Sequence, residues 1–143
     1  MTKRERGAAA VEMAITLVLL VWLIFGIVDV GRAIFTQIAV RDAAQAGASY
    51  AAFTETAATG DVEAQVISSN DALPLTGTEI DVACQTVSRS DQNASQVRVT
   101  VQYGVDLITP LVGSALGGTI DLEHSAEAER YFSSCDGLQE VPW

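Results

Sequence analysis

Histidine, cysteine and basic side chains are scarce in this 143-residue chain, and each scarcity closes a route to function. His124 is the sole imidazole, which rules out a histidine cage for a metal within one chain. It lies in an alternating segment, where it reads as a packed side chain rather than a general base. Cys84 and Cys135 are the only cysteines: too far apart for a C-x-x-C redox pair and too few for a zinc site. No glycine-rich phosphate loop, metal-ligand cluster or nucleophile motif is present, so no enzyme activity and no cofactor are expected. From Asp42 onward, fifteen acids stand against Arg89, Arg98 and Arg130 alone. A part so poor in cations offers little to nucleic acid or to the charge of an anionic lipid surface.

Charge is also missing from one long stretch near the front, and there its absence is the signal. After the basic cap Lys3-Arg4-Glu5-Arg6 and Gly7, the 21 residues Ala8 to Val28 carry a single charge, Glu12. At ~1.5 Å per residue a helix of that length reaches ~30 Å, the thickness of a bilayer's hydrocarbon core. A carboxylate inside that layer costs about 2.5–3.5 kcal/mol on insertion scales, so it calls for a function and a partner. The basic flank before the span and the acidic part after it predict N-terminus in and C-terminus out, in a single pass. A secretory signal cut at Ala44-Gln45-Ala46 fits poorly, because that site falls well beyond the apolar run and the run exceeds the usual ~7–15-residue signal core. An ordinary single-pass anchor remains open as an alternative.

The string Gly7-Ala8-Ala9-Ala10-Val11-Glu12-Met13 resembles a prepilin-type leader junction. In that class a peptidase cuts after a Gly, and the fifth residue of the mature chain is Glu; here the cut would fall between Gly7 and Ala8 and make Glu12 the fifth. The run Phe25-Gly26-Ile27-Val28-Asp29-Val30-Gly31-Arg32-Ala33 and the later Ala43-Ala44-Gln45-Ala46-Gly47-Ala48 narrow the resemblance to the TadE-like family, pseudopilins or minor pilins of the tight-adherence (Flp-type) pilus machinery. The likeness is close over roughly the first 50 residues and general in layout beyond them. One departure is visible: Val18 stands about where the family often carries a Pro. The resemblance implies a non-enzymatic role in pilus assembly or structure. Its expected partners are a prepilin peptidase, other pilin or pseudopilin subunits, the membrane assembly platform and membrane lipid, with no nucleic acid. It also implies that Glu12 faces the freed ammonium of a neighbouring subunit. A main filament pilin fits less well, since such subunits are typically far shorter.

The helix is expected to run past the membrane, from about Ala8 to about Ala58. No Pro occurs before Pro74, and Gly47 is the only Gly between Ala33 and Thr59. Ala39, Ala43, Ala46, Gly47 and Tyr50 recur on one helical face, and Arg41, Gln45 and Ser49 on another. The small-residue stripe suits close packing, either on other subunits or on the chain's own globular part. Asp29 and Arg32, one turn apart, can pair at i,i+3 and are read as markers of the outer interface.

Beyond Thr59 the pattern changes. Thr59-Gly60-Asp61 reads as a break and cap before a short helix over Val62 to Ser69. Asn70-Asp71 and Pro74 to Gly77 read as turns. Strands are expected from Glu79 through Cys84, over Val97 to Tyr103, and over Ile120 to Ser125, each with period-two alternation. A polar loop is placed at Ser88 to Ser95, and a less regular section at Leu107 to Gly118. The expected fold class is α+β: a long N-terminal helix, transmembrane in its first half, and a small antiparallel sheet, pilin-like in design. The division read from the sequence is leader 1–7, spanning half 8–28, extracytoplasmic half 29–58 and head 59–143. In an oxidising compartment, Cys84 and Cys135 are expected to form a disulfide tying the C-terminal tail to the first strand.

Overall fold

The computed structural model of the protein describes residues 3–69, 80–89, 92–108, 117–132 and 134–140. Helix α1 runs from Lys3 to Phe53, helix α2 from Thr59 to Ser68, and strands β1 (Ile80–Arg89), β2 (Gln92–Asp106), β3 (Thr119–Arg130) and β4 (Gln139–Glu140) follow. The fold is α+β, with a long apolar N-terminal helix and a small mixed sheet in the order β3-β2-β1-β4. The residues separate into two units: Met1–Ile34 with Asp106–Ile120, and Phe35–Val105 with Asp121–Trp143.

The second unit holds the core. Val97, Val99 and Val101 of β2, all fully buried, meet Ile80, Val82 and Cys84 of β1, which pair with them antiparallel from Ile80↔Val101 to Arg89↔Gln92. On the same core lie Val62 and Val66 of α2 and the small residues Ala43, Ala44, Ala48 and Ala51 of α1. Of the predicted stripe, Ala43 and Gly47 are buried under the chain's own sheet and α2, whereas Ala39, Ala46 and Tyr50 are half-buried; the covered face is centred instead on Ala43, Ala44, Ala48 and Ala51. Arg41, Gln45 and Ser49 face away and are exposed. Gly47 marks the tightest point. A Cβ there would collide with a methyl of Val66 and stand 3.3 Å from Val99 and 3.5 Å from Val62, so α1, α2 and β2 converge on a residue without a side chain.

The outward face of the sheet is a polar ladder. Arg98 Nε donates to Glu127 at 2.8 Å, Thr100 and Ser125 share a hydroxyl contact at 3.0 Å, and Gln102 reaches Glu123 at 3.4 Å. Each step of two down β2 is matched by a step of two up β3, the signature of an antiparallel pair. In β3 the even-numbered residues are the less exposed, so Ile120, Leu122 and His124 face inward as the alternation predicted.

Four expectations need correction. The loop placed at Ser88–Ser95 is mostly strand: β1 continues to Arg89 and β2 starts at Gln92, because backbone pairing extends a hairpin through polar residues as readily as through apolar ones. Ser95 even lies on the inward side, fully buried. The sheet is mixed rather than antiparallel, since β4 adds to β1 in parallel through Ala83↔Gln139 and Cys84↔Glu140. Ala83, which alternates with the inward Val82 and Cys84 and so would face solvent in a half-buried strand, is buried beside it. Helix α1 ends at Phe53, before the expected Ala58, where the C-terminal part of the chain closes over its last carbonyls. The turns read at Asn70-Asp71 and Pro74 to Gly77, and the centre of the Leu107–Gly118 section, lie outside the described residues.

Helix α2 begins three residues earlier than its predicted start at Val62, at Thr59 after an Ala58 N-cap. Alanine has no side-chain acceptor, so capping is one-sided: the Asp61 carboxylate accepts the Ala58 N–H at 3.3 Å. Thr59 N–H goes to the Gly137 carbonyl at 3.2 Å. Gly137 has a φ of 84°, and a Cβ there would stand 3.0 Å from the Ala57 carbonyl oxygen, so the turn that delivers this acceptor requires glycine.

Candidate anchoring and assembly site

Helix α1 contains an 18-residue window of mean hydropathy 2.6, none of it buried, long and apolar enough to cross a membrane. From Gly7 to Phe25 every side chain is exposed, including Leu17, Leu20, Trp22 and Leu23. So much uncovered apolar surface is not stable in water and marks a surface that another apolar phase covers. Gly7 and Ala8 lie within the continuous helix, and no atom stands within 4 Å of a Cβ built on Gly7. Glu12 is exposed one turn further on. Its backbone carbonyl accepts the Thr16 hydroxyl at 2.9 Å, and Ala9, Glu12, Met13, Thr16, Leu17 and Leu20 line one shallow groove along the helix. The carboxylate is thereby placed in an otherwise mostly apolar stripe.

Asp29 and Arg32 do something that spacing alone did not reveal. Asp29 is only 4% exposed, although its neighbours Val28 and Val30 are 44% and 60% exposed. Its Oδ1 accepts the N–H of Ile108 at 3.0 Å, and Arg32 Nη1 donates to the Asp106 carbonyl at 3.3 Å. Both therefore hold the backbone at the end of β2, within the first unit. The Leu107 N–H closes onto the Gly118 carbonyl at 3.0 Å, and the Thr119 hydroxyl donates to Asp106 at 3.2 Å.

Residues 7–49 match the family model of TadE-like proteins. The matched segment begins on Gly7 and ends in the alanine-rich part of α1, so it takes in Glu12, Asp29, Arg32 and Gly47 and leaves the sheet outside. No curated protein and no solved structure matches the chain.

In the second unit, Cys84 and Cys135 are joined as a disulfide, with Cα atoms 5.8 Å apart. It fastens the turn that carries Gly137 to β1. His124 is half-buried on the inner side of β3, and no group of three metal-ligating side chains occurs among the described residues. Sequence reasoning counted Arg130 only as a charge. It is 4% exposed, and its Nη2 donates to the carbonyls of Thr54 and Glu55 at 3.2 and 3.1 Å, while the Tyr131 N–H reaches Ala52 O at 3.1 Å. The last turn of α1 has no basic residue of its own, so β3 supplies the cation that a helix C-terminus favours. Burial pushes the Arg130 guanidinium down from its ordinary value, and the charge of Asp136 partly opposes this. Arginine stays cationic in proteins regardless.

Proposed function

We propose that the chain is a non-enzymatic TadE-like pseudopilin or minor pilin, acting in the assembly or structure of a tight-adherence pilus. The observation that carries this reading is the family match, which opens on Gly7, the glycine of the leader-type junction. On this reading, residues 1–7 are a leader, 8–28 span the cytoplasmic membrane, 29–58 continue outward, and 59–143 form an extracytoplasmic head. The N-terminus is inside, where the basic cap is held by the positive-inside rule.

A prepilin peptidase cuts between Gly7 and Ala8 and frees the Ala8 ammonium. Glu12 then faces the freed ammonium of a neighbouring subunit. In a low-dielectric layer an isolated carboxylate is costly, and an opposite charge offsets part of that cost. The exposed apolar surface of α1 serves both the bilayer and the packing of neighbouring pilin-type helices. The head, stapled by Cys84–Cys135 in an oxidising compartment, travels with the helix.

The test is the intact mass of membrane-extracted protein made with and without a prepilin peptidase. A peptidase-dependent loss of Met1 through Gly7 supports the pilin class. A full-length mass in both preparations refutes it and favours an unprocessed, single-pass anchored binding module with an acidic head.

A further inference from the structure

Three polar backbone groups at the base of the β2–β3 connection are covered. The Asp106 carbonyl takes Arg32, the Leu107 N–H takes Gly118, and the Ile108 N–H takes Asp29. A loop tip in water needs no such cover, because water supplies the partners. Irregular backbone that meets hydrocarbon does need it, since no water is available there to pair with N–H and C=O groups. The side chains at the same place go the other way: Ile108 is 54% exposed, beside a helix whose Val28 and Val30 are also uncovered. No charged residue occurs between Asp106 and Asp121. Of the two helix residues that grip this loop, Asp29 follows directly on Val28, the last residue of the apolar run, and Arg32 lies one turn beyond it.

We propose that the base of the β2–β3 connection, at Leu107 and Ile108, is a second membrane contact: it seats on the lipid surface at the C-terminal end of the span, held there by Asp29 and Arg32. The occupant is lipid because the contact is continuous with the span itself, through hydrogen bonds from the same helix. The contact is apolar and does not rely on the anionic head groups that the acidic part of the chain would repel. Asp29 and Arg32 then keep the loop at a fixed height along α1. The inference rests on α1 spanning the membrane.

Single-tryptophan forms of the full chain, reconstituted in vesicles of zwitterionic lipid brominated either near the head group or near the acyl terminus, test it. Trp143→Phe leaves Trp22 as the reporter of the span. Trp22→Phe with Trp143→Phe and Ile108→Trp reports the loop. The expected result is loss of Trp22 fluorescence chiefly to the deep bromines and of the residue-108 signal chiefly to the shallow ones. A quenched Trp22 with an unquenched reporter at 108 overturns the lipid contact and leaves the span standing. A blue-shifted but unquenched signal at 108 also overturns it, and means that a neighbouring protein subunit covers the loop. An unquenched Trp22 overturns the span and the inference together. A second variant guards against misfolding. The only cysteines are in the disulfide, so Ile108→Cys can be labelled with a membrane-impermeant maleimide and compared with Ser125→Cys on the exposed sheet face. Slower labelling at 108 supports the contact, and equal rates refute it.

Discussion

Replacing Gly47 by alanine sets two opposed effects against each other at a site where the structure decides between them. In a helix interior alanine is favoured over glycine by roughly 0.5–1 kcal/mol, chiefly through backbone entropy. Against this, the new methyl meets Val66 at a separation that real contacts do not adopt, with Val99 and Val62 close behind at 3.3 and 3.5 Å. All three valines are fully buried. A β-branched side chain on a helix has essentially one χ1 well, so Val66 cannot swing aside and α2 must move. Overpacking of this kind costs about 1–3 kcal/mol. The difference is a net loss of up to about 2.5 kcal/mol, about 1 at mid-range. Gly60→Ala is the internal control: nothing stands within 4 Å of its Cβ, and it is expected to gain about 0.4–1 kcal/mol by restricting the unfolded chain. The assay is urea unfolding of the oxidised full chain in detergent. Near-UV circular dichroism would follow Tyr50 and Tyr103, which pack on the core. A Gly47→Ala midpoint at or above that of the parent protein would refute the argument that close approach, rather than propensity, sets this position.

Arg130→Met should destabilise the sheet-bearing unit by about 1.5–3 kcal/mol, the range for hydrogen bonds to a charged group, read by the same unfolding curve. Because that guanidinium stays protonated at ordinary pH, the deficit should not vary between pH 6 and 9; a pH-dependent deficit argues against the assignment. Reducing the Cys84–Cys135 bond, whose partners are 51 positions apart, should cost ~4 kcal/mol in the chain-entropy model. Unchanged stability after confirmed reduction contradicts that. Glu12→Ala should impair co-capture of pilin-type subunits more than membrane insertion, measured by crosslinking against carbonate-resistant membrane fractions; equal loss of both sinks the proposed role. Arg98→Ala, which removes a pair that is 31% and 53% exposed, should shift stability by less than about 1 kcal/mol.

What the sequence made legible was whatever repeats locally. The alternation Val97, Val99, Val101 and the long apolar run after Gly7 each impose a period or a length that survives folding. The polar hairpin arms near Ser88 and Ser95 were not legible, because pairing there follows the register of the apolar residues behind them rather than any preference of their own. Strand β4 is two residues long, and its place beside β1 comes from a disulfide and a left-handed glycine, neither of which leaves a periodic trace. Asp29, Arg32 and Arg130 were visible as charges, but their partners are backbone groups some 75 positions away, which no window of neighbouring residues contains.

The grip of Arg130 on Thr54 has a consequence in time. The two residues are 76 positions apart, so a ribosome adding ~5–20 residues per second finishes the helix roughly 4–15 s before its terminal cation is made. Through that interval the carbonyls at the end of α1 lack the β3 cation that closes over them. The nascent chain therefore presents its N-terminal helix, with Gly7 and Glu12 already complete, well before the remainder can fold. Any factor that acts on the front of this chain has a head start of several seconds over the folding of its back.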